Sequence, residues 1–99
     1  MTRIPPVHCF EWDEDNAEHL ARHGITDLEV DQLLTNRHLV VPSKKGSGST
    51  SRMFLIGETN GGRILTVVIS PTWLEGTWRP VTAFDANQAE RARLRRAGS

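Results

Sequence analysis

The chain has 99 residues, of which 37% are hydrophobic and 24% are charged, and its formal net charge is zero. These values predict one small globular domain over residues 1–99, and the longest apolar run, ILTVVI, is too short to span a membrane. The single cysteine, Cys9, excludes an internal disulfide, and the first residues lack the apolar run of a signal peptide. We therefore expect a cytoplasmic protein that does not contact a membrane.

The zero net charge conceals an uneven distribution along the chain. Residues 1–36 contain two arginines and eight acidic residues, whereas residues 37–99 contain ten lysines and arginines and four acidic residues. The basic second part suggests a surface that meets phosphates, and ion pairing between the two parts of the chain is the alternative. Composition alone favours neither interpretation.

Two helices are predicted in the first third of the chain. In WDEDNAEHLARHG, Asp13 has the position of an N-cap and Gly24 that of a C-terminal stop. In ITDLEVDQLLTN, Thr26 and Glu29 have the spacing of a capping box. Almost no linker separates the two segments, so a tight corner is predicted at residues 24–25. We expect the leucines of the second helix to form its apolar face: Leu28, Leu33 and Leu34.

The rest of the chain predicts a small antiparallel sheet. HLVVP, SRMFLIGE, RILTVVIS and TWRPVTAF are typical of strands, which gives three to four of them. The TNGG segment is a hairpin signal, and ILTVVI, which is apolar on both faces, should be the central strand. Pro80 cannot donate to a ladder, so its strand should lie at an edge or carry a bulge. The SKKGSGSTS segment, which contains Lys44 and Lys45, is predicted to be a flexible basic loop.

A third helix is predicted in DANQAERARLRR, with Asp85 as its N-cap. Its only large apolar residue is Leu94, so we expect the helix either to be mostly solvated or to pack against a partner when one binds. The order of elements predicts an α+β domain with two N-terminal helices, an antiparallel sheet and a C-terminal helix. We expect the helices to lie on one face of that sheet.

The first predicted helix carries a polar stripe in which Asn16, His19 and His23 share one face. Two histidines four residues apart suit a helical zinc site, but no third ligand is fixed near them, so we predict no metal. A second interpretation is structural, with these side chains hydrogen-bonded inside the fold. A third is acid–base chemistry, because the Arg22–His23 pair adjoins a glycine corner, and histidine exchanges protons near neutral pH.

Arginines on the predicted strands form a second candidate site. Arg52, Arg63 and Arg79 lie on three different strands, from which they could hold phosphates in a fixed geometry. The alternative is a solvated face in which each side chain snorkels to water. Spacing does not show that the three side chains converge.

Three segments together resemble the BrnT-type toxin family of bacterial type II toxin–antitoxin systems. They are FEWDEDNAEHLARHGIT, LIGETNGGRILTVVIS and WRPVTAFDANQAERARLRR. The family typically has a Trp-Asp pair, a helix that ends in a basic-His-Gly turn, an Ile-Gly…Gly-Arg hairpin and a closing Arg-x-Ile-Ser/Thr-Ala-Arg strand before an Arg-rich helix. The resemblance rests on the order and spacing of these motifs over about residues 10–96.

The resemblance implies a RelE-like fold and a ribonuclease toxin that needs no cofactor, acting on RNA that is free or bound to the ribosome. It also implies a neutralising antitoxin, through which the pair would reach operator DNA. The family's basic-His pair corresponds to Arg22 and His23, its hairpin arginine to Arg63 and its strand arginine to Arg79. Its arginine before the middle strand corresponds to Arg52.

The implied activity assigns roles to these residues. RNA cleavage without a metal requires a base for the 2′-OH, cations for the phosphorane and an acid for the 5′-oxygen. We expect His23 to be an acid or base, with His19 orienting it or sharing the proton transfer. The cations on the phosphate are expected to be Arg22, Arg52 and Arg79.

Two positions depart from the family pattern. Phe84 replaces the second arginine of the closing strand motif, and Glu58 stands where an arginine often follows Ile-Gly. Glu58 is a further acid–base candidate. Loss of two cations weakens a phosphate site, so the alternative function is a catalytically degenerate module that binds an antitoxin or nucleic acid without cleavage. The remaining cations expected to contact RNA are Lys44, Lys45 and Arg63.

Overall fold

The computed structural model describes residues 6–42 and 52–97, which form three helices and one mixed sheet of five strands. The predicted α+β class is confirmed. None of the helices in the described ranges is long and apolar enough to cross a membrane. The elements in chain order are β1 (Cys9–Phe10), α1 (Glu14–Arg22), α2 (Asp27–Thr35), β2 (His38–Pro42), β3 (Met53–Glu58), β4 (Ile64–Pro71), β5 (Thr77–Asp85) and α3 (Gln88–Ala97).

Both N-terminal helices begin at the predicted caps. The carboxylate of Asp13 accepts a hydrogen bond from the backbone N–H of Asn16 at 3.0 Å. The hydroxyl of Thr26 accepts one from the backbone N–H of Glu29 at 3.1 Å, and the Glu29 carboxylate accepts from the backbone of Thr26 at 3.0 Å. Each cap satisfies backbone donors that the first helical turn leaves unpaired.

The corner between α1 and α2 is also confirmed. The N–H of Gly24 donates to the carbonyl of Ala21, and the N–H of Ile25 donates to the carbonyl of Leu20. This is the Schellman arrangement, which needs a left-handed residue at the first position after the cap. Gly24 supplies it with φ of 74°, so α2 can start three residues later and fold back beside α1.

The strand order in the sheet is β1-β5-β4-β3-β2, with β4 at the centre as predicted. The predicted β3–β4 hairpin is confirmed. The bulge expected near Pro80 is present, because Val68 pairs with Thr82 whereas Ile69 pairs with Pro80. The prediction of three to four antiparallel strands is wrong in one respect, because β1 adds a fifth strand parallel to β5. Two residues are too few for an alternating pattern, so β1 carries no signal by which it could be predicted.

Helices α1 and α2 cover one face of the sheet. Their fully buried residues include Leu20, Val30 and Leu33, which join a core with β3, β4 and β5. The predicted apolar face of α2 is wrong at Leu28, whose side chain is 65% exposed. Leu28 is the second residue of α2, and its position on the first turn, on the side of the helix away from Val30 and Leu33, points it away from the sheet.

Helix α3 lies on the opposite face, which corrects the expectation that all helices share one face. Leu94 is fully buried and packs with Val41 and Ile56. The apolar residue of α3 is therefore covered by the sheet of the same chain, and it needs no separate partner. The N-cap is also corrected. Asn87 and Glu90 exchange side-chain to backbone hydrogen bonds at 2.9 and 2.8 Å, whereas Asp85 ends β5.

A buried threonine in β4 offers a test of the core on the α3 face. Thr66 is fully buried, and its hydroxyl has no hydrogen-bond partner among the described residues. We expect Thr66→Val to raise the free energy of unfolding by about 1 kcal/mol, because valine keeps the shape and removes the unpaired hydroxyl. Urea denaturation of parent and variant measures the change.

Thr59→Val is the matched control for that substitution. Thr59 is also buried, but its hydroxyl accepts a hydrogen bond from the backbone N–H of Arg63 at 3.1 Å. This change should therefore destabilise the protein by about 1–2 kcal/mol. Equal destabilisation by both substitutions would show that the Thr66 hydroxyl has a partner.

Candidate functional site

Helix α1 packs against β5, and one arginine from β5 and one from the β3–β4 turn bind near its two ends. At the start, the guanidinium of Arg79 donates to the two carboxylate oxygens of Asp13 at 2.5 and 3.2 Å. Just beyond the other end, the guanidinium of Arg63 donates to the carbonyl of Gly24 at 2.9 Å. His19 within α1 and His23 at its C-cap therefore lie between the two positions that the arginines bind.

A cleft of about 200 Å³ separates α1 from β5. Its lining includes Asp15 and His19 from the helix and Arg79 from the strand. The ring of His23 is 5.1 Å from that of His19, centroid to centroid, in an edge-to-face arrangement. The structure thus brings both predicted histidines and one predicted arginine to the same surface.

Asn16, the third member of the polar stripe, is structural. Its side chain is buried and donates to the carbonyls of Glu11 and Pro80 at 2.9 and 3.1 Å. Its amide oxygen accepts from the backbone N–H of Asp13 at 2.9 Å. The hydrogen-bonding interpretation is therefore right for Asn16, which ties α1 to β5. The two histidines are exposed and form no hydrogen bond through their rings with any described residue.

The electrostatic surroundings of Arg79 are acidic. The hydrogen bond that Arg79 donates to Asp13, followed by the charges of Asp13, Glu11 and Asp15, raises the pKa of Arg79 against the opposing effect of burial. In return, the hydrogen bond from Arg79 and that from the Asn16 backbone lower the pKa of Asp13. A phosphate that reaches Arg79 must therefore compete with a carboxylate already bound to it.

Arg22 is placed near the histidines by its position on α1, but its guanidinium is also paired. It donates to the carboxylate of Glu18 one turn earlier at 2.9 Å, and both side chains are exposed. Exposed pairs of this kind contribute only about 0.3–0.5 kcal/mol, so a phosphate can displace Glu18 at small cost.

Arg63 was predicted to contact RNA, but its guanidinium joins several parts of the fold. Besides Gly24, it binds Asp85 through Nε at 2.8 Å and Glu29 through Nη1 at 3.4 Å. The hydrogen bond to Asp85 and the charges of both acids raise the pKa of Arg63. The side chain therefore links the β3–β4 turn to the helix corner, the start of α2 and the end of β5.

This linkage predicts a measurable loss of stability in Arg63→Gln. We expect the free energy of unfolding to fall by about 1–2 kcal/mol, because charged hydrogen bonds are lost but the side chain is partly solvated. Arg22→Gln is the control, since it breaks one exposed pair and should cost about 0.3–0.5 kcal/mol. Chemical denaturation should separate the two variants, and equal losses would show that Arg63 is no more than a surface cation.

Two carboxylates should make the stability depend on pH. Arg79 lowers the pKa of Asp13, and Arg63 lowers that of Asp85. A folded-state pKa below the unfolded value of about 3.9 means that the stabilisation is complete above that pH and is lost as the pH falls through the folded value. The urea midpoint should therefore decrease below about pH 4, and less steeply in Asp85→Asn. Identical pH profiles for parent and variant would contradict this origin.

The other predicted site residues lie apart from the histidines or outside the described ranges. Glu58 pairs with Arg37 at 3.5 Å and lines a different cleft of about 440 Å³ near the β3–β4 turn. Arg52 is exposed just before β3, where the strand register places it at the same end of the sheet as Arg79. Lys44 and Lys45 lie outside the described residues.

No group of three or more His, Cys, Asp or Glu side chains within residues 6–42 and 52–97 could hold a metal ion. His19 and His23 supply two ligands at most, and zinc sites use three or four protein ligands. Two partners in the site could not be foreseen from spacing, namely Asp13 for Arg79 and Arg37 for Glu58. The cap position of Asp13 was visible in the sequence, but a contact 66 residues away was not.

A family model described as the ribonuclease toxin BrnT of type II toxin–antitoxin systems matches residues 12–90. The chain belongs to the BrnT family. No curated protein matches it at a significant level. This family consists of ribonuclease toxins of type II toxin–antitoxin systems. The matched range contains both histidines, Arg79 and its partner Asp13. In this BrnT-family chain the match ends early in α3.

Proposed function

We propose that this chain is a metal-independent endoribonuclease of RelE-like fold, acting in the cytoplasm and neutralised by a cognate antitoxin. Family membership supports the class of activity. The observation that carries the proposal is the pair His19–His23, whose rings are 5.1 Å apart beside a cleft that contains Arg79. Two imidazoles next to a cation are the groups that metal-free cleavage of an RNA phosphodiester needs.

The proposed reaction divides two proton transfers between the histidines. One imidazole, as the neutral base, takes the proton of the 2′-OH while the 2′-oxygen forms a bond to phosphorus. The bond from phosphorus to the 5′-oxygen breaks, and the other imidazole, as the acid, gives its proton to that oxygen. The products are a 2′,3′-cyclic phosphate and a 5′-hydroxyl, and each histidine ends in the protonation state that the other had at the start. Arg79 and Arg22 would stabilise the extra negative charge on the phosphorane.

Binding of the phosphate would exchange partners on the arginines. Arg79 would leave Asp13 for a phosphate oxygen, and Arg22 would leave Glu18, so neither cation is unpaired in the free enzyme. Arg52, at the same end of the sheet as Arg79, would hold the next phosphate of the strand. Glu58 has no place in this mechanism, because it pairs with Arg37 and lines a different cleft.

A second candidate is a catalytically degenerate toxin that binds an antitoxin or nucleic acid without cleavage. The acidic surroundings of the histidines favour it, because Glu11, Asp13 and Asp15 act on Arg79 and oppose the approach of a phosphate. Phe84 and Glu58, which replace two family cations, point the same way. In either case the partner would be an antitoxin, which alone would contact operator DNA.

Induced expression in bacteria tests the choice between the two candidates. The chain is induced alone and together with the reading frame that adjoins its own gene, and growth and RNA integrity are followed. Arrest with RNA fragmentation that the second frame relieves supports the ribonuclease. Unimpaired growth together with formation of a stable complex supports the binding module.

An assay with the purified chain tests the chemistry directly. The chain is incubated with RNA in excess EDTA, and the fragment ends are analysed. Cyclic phosphate ends are expected, on RNA that is naked or in the presence of ribosomes. RNA with 2′-O-methyl groups should not be cut, because the attacking hydroxyl is missing. Loss of all cleavage in EDTA, restored by a divalent metal, would contradict the metal-independent mechanism.

A further inference from the structure

The helices on the two faces of the sheet carry opposite net charges. The segment that contains α1 and α2, residues 11–36, holds eight acidic residues and one arginine. Helix α3, on the opposite face, holds four arginines and one glutamate. A polyanion is therefore repelled by the first face and attracted to the second.

The buried side chain of Leu94 fixes the directions in which the arginines of α3 point. Leu94 is fully buried against the sheet, which sets the rotation of the helix. Arg91 and Arg95 are one turn apart and lie on the same flank, whereas Arg93 lies on the other flank. These three side chains are exposed, and none forms an ion pair within 4.0 Å with an acid in the described part of the chain.

An exposed aromatic side chain lies on the same face of the sheet. Ile56 packs under Leu94, and the register pairs Ile56 with Thr66 and Thr66 with Phe84. Directly paired residues of neighbouring strands point to the same side, so Phe84 also faces the α3 side. Helix α3 packs against β2 and β3, and Phe84 on β5 is left 41% exposed.

We propose that Arg91, Arg95 and Phe84, which we call the α3 surface, bind single-stranded RNA. The two arginines would hold successive phosphates, and the ring of Phe84 would stack on an unpaired base. Alternating cations and exposed aromatic rings are what non-specific single-strand binding requires. Helix α3 begins three residues after β5 ends, so Arg91, in the first turn of α3, lies at the end of the helix that adjoins the strand of Phe84.

The α3 surface is separate from the proposed histidine site. Arg91 and Arg95 lie beyond the family match, which ends at residue 90, and the histidines belong to the opposite, acidic face. The inference therefore goes beyond the proposed function and rests on it only in taking RNA as the polyanion. RNA held on the α3 surface and carried over β5 beyond Trp78, where β1 no longer pairs with it, would reach the cleft without docking first on the acidic face.

Binding can be measured without cleavage. The probe is a labelled single-stranded RNA of about 12 nucleotides, a typical length for such surfaces, with 2′-O-methyl groups throughout. Its affinity for the full chain is determined over a series of salt concentrations. In Arg91→Gln/Arg95→Gln, the slope of log affinity against log salt should become shallower by about 1.4, because two phosphate contacts are lost at about 0.7 each.

Two further variants distinguish the contribution of the arginine charges to RNA binding from that of the Phe84 ring. Arg91→Lys/Arg95→Lys keeps both charges and should keep the slope of the parent. Phe84→Ala should weaken binding roughly five- to a hundredfold with an unchanged slope, because base stacking involves no counterion release. Thermal melts of all variants confirm that each is folded at the assay temperature.

The control variant changes the net charge by as much as Arg91→Gln/Arg95→Gln does, but on the opposite face of the sheet. Leu28→Glu/Thr35→Glu alters the charge by the same amount at two exposed positions of α2, and it should leave the slope unchanged. An equal effect of the control would overturn the proposal, as would a parental slope in Arg91→Gln/Arg95→Gln. Loss of antitoxin binding alone in that variant would also overturn it and assign the surface to a protein partner. Failure of the parent to cut unmodified RNA would instead count against the proposed function.

Discussion

Replacing His19 or His23 by alanine should abolish toxicity while the protein stays folded. Both side chains are exposed, and their rings form no hydrogen bond or ion pair with described residues, only the contact with each other, so little packing is lost. If each ring carries one proton transfer, removal of either typically lowers the rate about 10²–10⁴-fold. Growth arrest on induction and cleavage by the purified variants measure the effect.

Arg79→Ala should have an effect of similar size for a different reason. Removing a group that stabilises developing charge costs about 3–4 kcal/mol in the barrier, or roughly 10²–10³ in rate. The same change releases Asp13, whose carboxylate caps α1 and would then lie beside the cleft without a cationic partner. Asp13→Asn in the Arg79→Ala background removes that free charge and should not restore activity if the arginine itself acts on the phosphate.

His8→Ala is the matched control for the histidine variants. His8 is exposed near Gly76 and is not among the residues that line the cleft, so this variant should remain as toxic as the parent. Thermal melts recorded in parallel separate lost chemistry from lost structure. The assignment is wrong if His19→Ala and His23→Ala are both folded and fully toxic.

The parts of the fold that sequence could predict are those determined within a few residues. Asp13 and Thr26 cap their helices with backbone groups three positions away, and Gly24 is needed where it stands by its positive φ. Asp85 has the same chemistry as Asp13 but does not cap α3. Its carboxylate binds Arg63, 22 residues earlier, and Asn87 takes the cap. Nothing in the local sequence distinguishes the two aspartates.

The candidate site was predictable to the same extent. The spacing of His19 and His23 places them on one helix face whatever the tertiary structure, and the structure keeps them in contact. The roles of the arginines depend on pairings across the sheet. Arg63, predicted to contact RNA, is bound by acids from α2 and β5, and Arg79 is bound by the cap of α1. Such pairings need the register of the strands, which spacing does not supply.

Leu94→Ala should destabilise the protein by about 2–5 kcal/mol, the usual cost of truncating a fully buried leucine. Leu94 is the only large apolar residue of α3, and it closes the core cluster that contains Val41 and Ile56. A helix so rich in arginine has no other means of burying apolar surface, so its position depends on this contact. Urea denaturation gives the change in free energy, and a two-state fit with an unchanged slope supports a loss of packing.

Leu28→Ala is the matched control, because it removes the same atoms from a side chain that is 65% exposed. Its effect should stay within about 0.5 kcal/mol, as for other surface substitutions. Loss of the α3 anchor should also weaken binding of the 2′-O-methyl RNA at temperatures where Leu94→Ala is still folded, because Arg91 and Arg95 would lose their fixed orientation. If Leu94→Ala proves as stable as Leu28→Ala, α3 is not held on the sheet by this side chain. In that case the orientation of the α3 surface would need another cause.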